Sequence, residues 1–331
     1  MRIVIPDDYQ DCVRTLDCFA KTAGHEVTVH NDTVTGTDAL AERFKDAEAI
    51  VLTRERTRID AALLERLPKL RIISQTGKLA GHVDLAACTA RGVVVAEGSG
   101  AGSATAELTW ALALASRRHL VEEVNRLRQG QWQGHLGQQL GGQRLGVWSY
   151  GRIGRQVAGY GRVFGMKVWV WGRDASTAAA RADGFEVAPS REAFFAESDV
   201  ISLHVRLTEA TTGLVTAEDL ARMKTTALLV NTSRAELVAS GALEHALAQG
   251  RPGFAAVDVY EQEPVFGADH PLLRLPNALC TPHIGYVEKD NYERYFGIAF
   301  DNINRFAQGT LAEVVNPEAL GNRPKGASAL S

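Results

Sequence analysis

Cysteine is scarce: four residues in 331, at Cys12, Cys18, Cys88 and Cys280, with no C-x-x-C pair and no histidines at ligand spacing. That scarcity excludes a disulfide-stapled scaffold, and the spacing signals neither a zinc site nor a redox motif. No apolar stretch reads as a membrane span. The longest, from Ala101 to Ser116, is interrupted by Glu107 and rich in small residues, which fits a buried helix. An excess of positive charge is also missing. Lys plus Arg number 36 against 39 Asp plus Glu, a net charge of -3, so nothing marks nucleic acid as a partner. Without low-complexity tracts or a fixed-period repeat, a disordered chain, a solenoid and a propeller are all excluded. The opening Arg2-Ile3-Val4-Ile5 reads as a strand and not as a signal peptide, so a cytoplasmic location is expected.

What is there is a folded chain long enough for roughly two domains at about 150 residues each. Short β-branched runs at Ile3 to Ile5, Val27 to Val29, Ala49 to Leu52, Arg71 to Ser74 and Val93 to Val95 alternate with helical patterns, as parallel βαβ units do. One long helix is expected from Ser103 to Arg128. A second series follows, with strands at Leu145 to Trp148, Val168 to Trp171, Val200 to His204, Ala227 to Asn231, Ala255 to Val257 and Ala278 to Cys280. Six strands with helices between them suit a doubly wound sheet. Tyr292, Tyr295, Phe296, Ala299, Ile303 and Phe306 form an apolar stripe on a last helix, which is expected to return to the first domain. The tail from Gly321 is the candidate for disorder.

After the strand at Leu145 comes Ser149-Tyr150-Gly151-Arg152-Ile153-Gly154. This is a G-x-G-x-x-G fingerprint with serine in the first glycine position. Gly151 lets backbone approach a pyrophosphate, and Gly154 lets the helix pack on the strand. A plain glycine turn would give the same letters, and the strand-loop-helix setting raises the dinucleotide reading. The next strand ends in Gly172-Arg173, where an NAD site usually carries an acid for the ribose. Arg173 would meet a 2′-phosphate instead, or it is a solvated charge.

Three polar groups follow successive strands: Arg234 in Asn231-Thr232-Ser233-Arg234, Glu263 in Glu261-Gln262-Glu263-Pro264, and His283 in Thr281-Pro282-His283-Ile284-Gly285. Each has a structural account by itself. Together they fall where an open α/β sheet gathers its ligands. In these runs, their order and their separations, the chain resembles the D-isomer-specific 2-hydroxyacid dehydrogenases, the family of phosphoglycerate dehydrogenase, glyoxylate and hydroxypyruvate reductases and D-lactate dehydrogenase, over nearly its whole length.

The resemblance implies two Rossmann-like domains with the active site in the cleft between them. The substrate-binding, flavodoxin-like domain would be discontinuous, from 1–98 and 287–331, and the dinucleotide-binding domain would span 99–286. It implies hydride transfer between NAD(H) or NADP(H) and C2 of a D-2-hydroxy or 2-oxo acid, phosphorylated ones such as 3-phosphoglycerate included, without a metal. His283 would be the acid/base, Glu263 its carboxylate partner and Arg234 the clamp on substrate. An imidazole suits the proton, and a planar guanidinium suits a carboxylate. Tyr150, Arg152, Ile153, His204, Thr232 and Ser233 would touch the cofactor, with Asp258 on the nicotinamide carboxamide. The loop Thr76-Gly77-Lys78-Leu79-Ala80-Gly81 would offer backbone N–H groups to the substrate carboxylate. Arg54, Arg56 and Lys78 would receive a second anion, or form a charged rim.

A homodimer through the cofactor domain is implied as well. Departures from the family pattern are Ser149, Gly172, Arg206, Ala235, Tyr286 and the pair Leu79-Ala80. The rival is a nucleotide-responsive, corepressor-like binding protein of the same fold, against which the intact Arg234, Glu263 and His283 set speaks.

Overall fold

The computed structural model describes residues 1–100, 102–311 and 313–321. Ala101, where the longest apolar stretch begins, and the tail after Gly321 lie outside them. The chain forms two compact units, Met1–Ala101 with Val287–Ser331, and Gly102–Tyr286.

The first unit carries β1 (Arg2–Ile5), β2 (Glu26–Val29), β3 (Ala49–Leu52), β4 (Ile72–Gln75) and β5 (Val94–Glu97). They pair in parallel in the order β2-β1-β3-β4-β5. Every residue of β3 and β4 is buried, so these strands read as continuous runs instead of alternating ones, because both faces of the sheet are covered. One cover is the helix Lys289–Ala307, whose whole predicted stripe from Tyr292 to Phe306 is buried. It is fixed at its start by Glu293, which accepts the N–H groups of Asp17 and Cys18 at 2.7 and 2.9 Å, and along its length by the Lys21 pair with Asp301 at 2.6 Å.

The second unit carries β6 (Arg144–Trp148), β7 (Lys167–Trp171), β8 (Glu186–Val187), β9 (Val200–Leu203), β10 (Leu228–Asn231), β11 (Phe254–Val257) and β12 (Ala278–Cys280). The parallel order β12-β11-β10-β9-β6-β7-β8 reverses between β6 and β9, the point at which doubly wound sheets bind ligands. Among the described residues, seven strands stand where the sequence suggests six. The extra one, β8, is two residues long and pairs only with β7, too short to leave a periodic signal. His204 lies just past β9 and not in it.

The expected single helix from Ser103 to Arg128 is broken. It runs Ser103–Arg117, and a second begins at Leu120–Arg128, with His119 between them in a left-handed conformation at a φ of 50°. Arg117 explains the stop. Its guanidinium is buried, donating to the carbonyls of Thr226 and Asp199 and to Gln138 Oε1, and its own carbonyl accepts the Gln138 N–H at 2.8 Å in place of the next helical turn. Burial pushes its pKa down to about 10, which leaves it charged at neutral pH. Among the described residues no helix is long and apolar enough to cross a membrane.

Candidate active site

At the end of β6, Ser149 turns the chain at a φ of 78°, a left-handed conformation ordinarily given to glycine. The strain is held by its N–H on the Trp171 carbonyl at 2.8 Å and by the Tyr150 N–H on Ser176 Oγ at 2.6 Å. Gly151 then precedes the helix Arg152–Val163. A Cβ at Gly151 would meet no atom within 4 Å, whereas a Cβ at Gly154 would lie 2.1 Å from the Ser149 carbonyl oxygen. Gly154 therefore lets helix meet strand, and Gly151 keeps space open at the positive end of a twelve-residue helix. A pyrophosphate fits that cradle. Tyr150 offers it backbone only: its buried side chain turns into the unit and its hydroxyl donates to Asp183 Oδ2 at 2.8 Å.

Arg173, exposed after β7, is the N-cap of the helix Asp174–Ala182. No acid precedes it there. His204 follows β9 with its N–H on the Trp148 carbonyl at 3.0 Å and Nε2 2.9 Å from Ser202 Oγ. Burial pushes its pKa down to about 3, so it is a neutral ring held inside the sheet edge. Thr232 shares a 2.7 Å hydroxyl contact with Thr109, and Ser233 Oγ donates to the Leu203 carbonyl at 2.6 Å.

Arg234, Glu263 and His283 follow β10, β11 and β12, whose last residues Asn231, Val257 and Cys280 are in register across the sheet. Asn231 shapes the first loop, accepting the Ser233 N–H at 3.0 Å and donating to the Arg234 carbonyl at 2.9 Å. Glu263 is aimed by the Tyr260 N–H on Oε1 at 2.9 Å, and its Oε2 meets His283 Nδ1 at 2.5 Å. His283 itself sits in the left-handed region at a φ of 51°. Asp258 holds that turn: its buried carboxylate accepts Thr281 Oγ1 at 2.6 Å, Ile284 N–H at 2.9 Å and Gly285 N–H at 2.8 Å. Burial raises its pKa against these donors. A Cβ at Gly285 would lie 3.1 Å from Asp258 Oδ2, a tight contact. Asp258, expected on the nicotinamide carboxamide, thus has a use in the turn that no spacing in the sequence signals.

In the first unit, Arg54 follows β3 in the left-handed region at a φ of 55°. Its N–H donates to Thr76 Oγ1 at 2.9 Å, and its carbonyl accepts Gln75 Nε2 at 2.9 Å. Two acids that the sequence reading passed over stand beside the expected cations. Glu55 Oε1 lies 3.6 Å from Arg54 Nη2, and Glu97 pairs with Lys78 while accepting the Leu79 N–H at 2.9 Å. The Leu79 N–H, expected to serve a substrate, is held by Glu97. Glu97 is 19 residues from Lys78, and only the pairing of β4 with β5 brings them together.

A family model described as D-isomer specific 2-hydroxyacid dehydrogenase, NAD binding domain, matches residues 110–285. The chain belongs to the D-isomer specific 2-hydroxyacid dehydrogenase family. A glyoxylate reductase from Aeropyrum pernix is 36% identical over 300 residues, covering 87% of this chain and 89% of its own. Among solved structures, a Ralstonia solanacearum protein provisionally named a D-3-phosphoglycerate dehydrogenase oxidoreductase is 53% identical with a TM-score of 0.94, covering 96% of this chain and 98% of that one. A phosphoglycerate oxidoreductase from Vibrio cholerae O395 is 51% identical with a TM-score of 0.91, covering 93% and 99%.

As a member of this family the chain is an NAD-binding oxidoreductase, and the corepressor-like alternative is not favoured. Two of its departures from the family pattern have local accounts. Ser149 keeps the left-handed turn without glycine. Tyr286, where the dehydrogenases usually carry a second glycine, packs edge-on against the His283 ring with centroids 5.4 Å apart at 80°. Glu244, Glu261 and His270 also cluster within 4.8 Å. There His270 Nδ1 accepts the Leu272 N–H, so Nε2 carries the proton that goes to Glu261 at 3.1 Å, and no ring lone pair is left for a metal.

Proposed function

We propose that this dehydrogenase interconverts a small D-2-hydroxy acid and its 2-oxo acid with His283 as acid/base, Glu263 as its orienting carboxylate and Arg234 as the clamp on substrate. The observation that carries this reading is the 2.5 Å contact between His283 Nδ1 and Glu263 Oε2. With Nδ1–H given to the carboxylate, Nε2 is the nitrogen that meets substrate. In oxidation, neutral Nε2 takes the C2 hydroxyl proton, and Glu263 offsets the imidazolium charge that forms. In reduction, the imidazolium Nε2–H donates to the carbonyl oxygen. The bound nicotinamide supplies or accepts the hydride. Arg234 presents a planar fork to the substrate carboxylate and carbonyl oxygen. Lys78, Ala80 and Arg54 are the remaining donors read as facing the acid.

For the cofactor, the loop N–H groups of Arg152, Ile153 and Gly154 hold the pyrophosphate, and Arg173 takes the 2′-phosphate of NADP(H). The test follows nicotinamide absorbance with NADH and NADPH over glyoxylate, pyruvate, hydroxypyruvate and phosphohydroxypyruvate. Turnover of at least one acid is expected, with Arg173→Ala raising KM for NADPH about tenfold and for NADH less than about twofold. Tight cofactor binding without turnover of any acid removes the enzyme reading. Equal losses with both cofactors leave Arg173 a bystander.

A second copy of this chain is the proposed partner. The helix Leu120–Arg128 buries no residue, and Leu120, Val121, Val124, Leu127, Trp132 and Leu136 are all exposed, Leu136 at 95%. An apolar face of this extent on one segment is unusual for a monomer, and a twofold contact would cover it. Light scattering should return twice the 35.8 kDa chain mass. Leu127→Glu should yield monomer, and a wild type that runs as monomer ends the proposal.

A further inference from the structure

Two of the three cations that the sequence offers for a second substrate anion are met by acids at the carboxyl edge of the first sheet. Lys78 pairs with Glu97, and Arg54 faces Glu55 at 3.6 Å. Arg56 is used within the fold, donating to the Asp7 carbonyl at 2.6 Å with its guanidinium 4.3 Å above the Tyr9 ring. The Lys78 side chain is 72% exposed and can swing away, but that of Glu97 is only 26% exposed. Glu97 Oε2 is also tied to the Leu79 N–H at 2.9 Å. The negative charge therefore stays on the loop backbone whatever the lysine does. The next residue completes the hold: Gly98 N–H donates to the Gly77 carbonyl at 2.9 Å, and a Cβ at Gly98 would lie 3.1 Å from Gly77 N. The end of β5 thus grips Gly77, Lys78 and Leu79 with a carboxylate among them.

A fixed carboxylate on a loop that receives an anion has an electrostatic consequence. One substrate carboxylate on this loop is accommodated by backbone dipoles. A further negative charge meets Glu97 and finds Lys78 and Arg54 already paired with acids and Arg56 engaged on the Asp7 carbonyl. We propose that Glu97 is a specificity-determining residue that restricts the enzyme to 2-hydroxy and 2-oxo acids bearing a single negative charge and disfavours those with a phosphate or second carboxylate. This rests on the reading of residues 76 to 81 as the substrate loop.

The test compares kcat/KM for hydroxypyruvate and phosphohydroxypyruvate in the wild type and in Glu97→Gln. Glutamine keeps an oxygen for the Leu79 N–H, removes the charge and releases Lys78. The wild type should prefer hydroxypyruvate, and Glu97→Gln should move the ratio about tenfold toward the phosphorylated acid. Added salt should shrink that shift. Lys78→Met, which leaves Glu97 uncompensated, should move the ratio about threefold the other way, and it serves if Glu97→Gln does not fold. A ratio unmoved by either variant, or a wild type that prefers the phosphorylated acid, overturns the assignment while leaving the enzyme reading standing. A wild type that turns over no 2-oxo acid overturns both.

Discussion

Replacing His283 by alanine should lower kcat by roughly 10²- to 10⁴-fold, the range that a positioned acid/base contributes, while dissociation constants for NADH and NADPH stay near wild type. The ring is held by Glu263 and touched by Tyr286, but the fold does not hang on it. Alanine tolerates the left-handed φ of 51° less well than histidine, a cost of about 1 kcal/mol. For a unit of this size that is a fall of about 2–4 °C in Tm. Lost turnover with intact cofactor binding is the expected pair of results. Turnover within about threefold of wild type would take the proton-transfer role away from His283.

Asp258→Ala should cost considerably more stability than His283→Ala. Its carboxylate takes three donors from the turn that carries His283, and each buried donor left without a partner costs about 1–3 kcal/mol. A loss of at least about 3 kcal/mol is expected, or roughly 6–12 °C in Tm, together with a fall in kcat because His283 loses its hold. The pH dependence has a definite sign. Burial raises the folded-state pKa of this carboxyl above its ordinary value, so the folded chain binds the proton more tightly than the unfolded one. Asp258 alone therefore contributes stability that is present below the ordinary carboxylate range and is lost as pH rises through the raised value. Calorimetry of Asp258→Ala should show that loss removed. A variant as stable as wild type would mean that other contacts carry the turn.

The two variants also separate what could be read in the sequence from what could not. The alternation of β-branched runs with helical stretches gives eleven of the twelve strands among the described residues, because most of these parallel strands are buried on both faces and leave apolar runs. Glu186–Val187 leaves none, being too short. The break at His119 is hidden because Arg117 looks like a surface cation until its carbonyl partners, about 80 and 110 residues away, are brought to it. Histidine, glutamate and arginine are legible as chemical groups at strand ends. Asp258 and Glu97 were harder: each acts on a loop after the neighbouring strand, so its partners are set by strand order and not by spacing. Sequence spacing shows which residues sit at an edge, and strand order shows which of them touch.

The first unit is closed by the helix Lys289–Ala307, whose ten buried residues pack a sheet begun at Arg2. Between these segments the chain encodes the whole of Gly102–Tyr286. A nascent chain leaving the ribosome therefore exposes five strands without their last cover and then completes the other unit before that cover is synthesised. Vectorial synthesis reverses the order in which the two halves are written: the half that starts first must wait, with its apolar edge in the keeping of whatever shields unfinished chains.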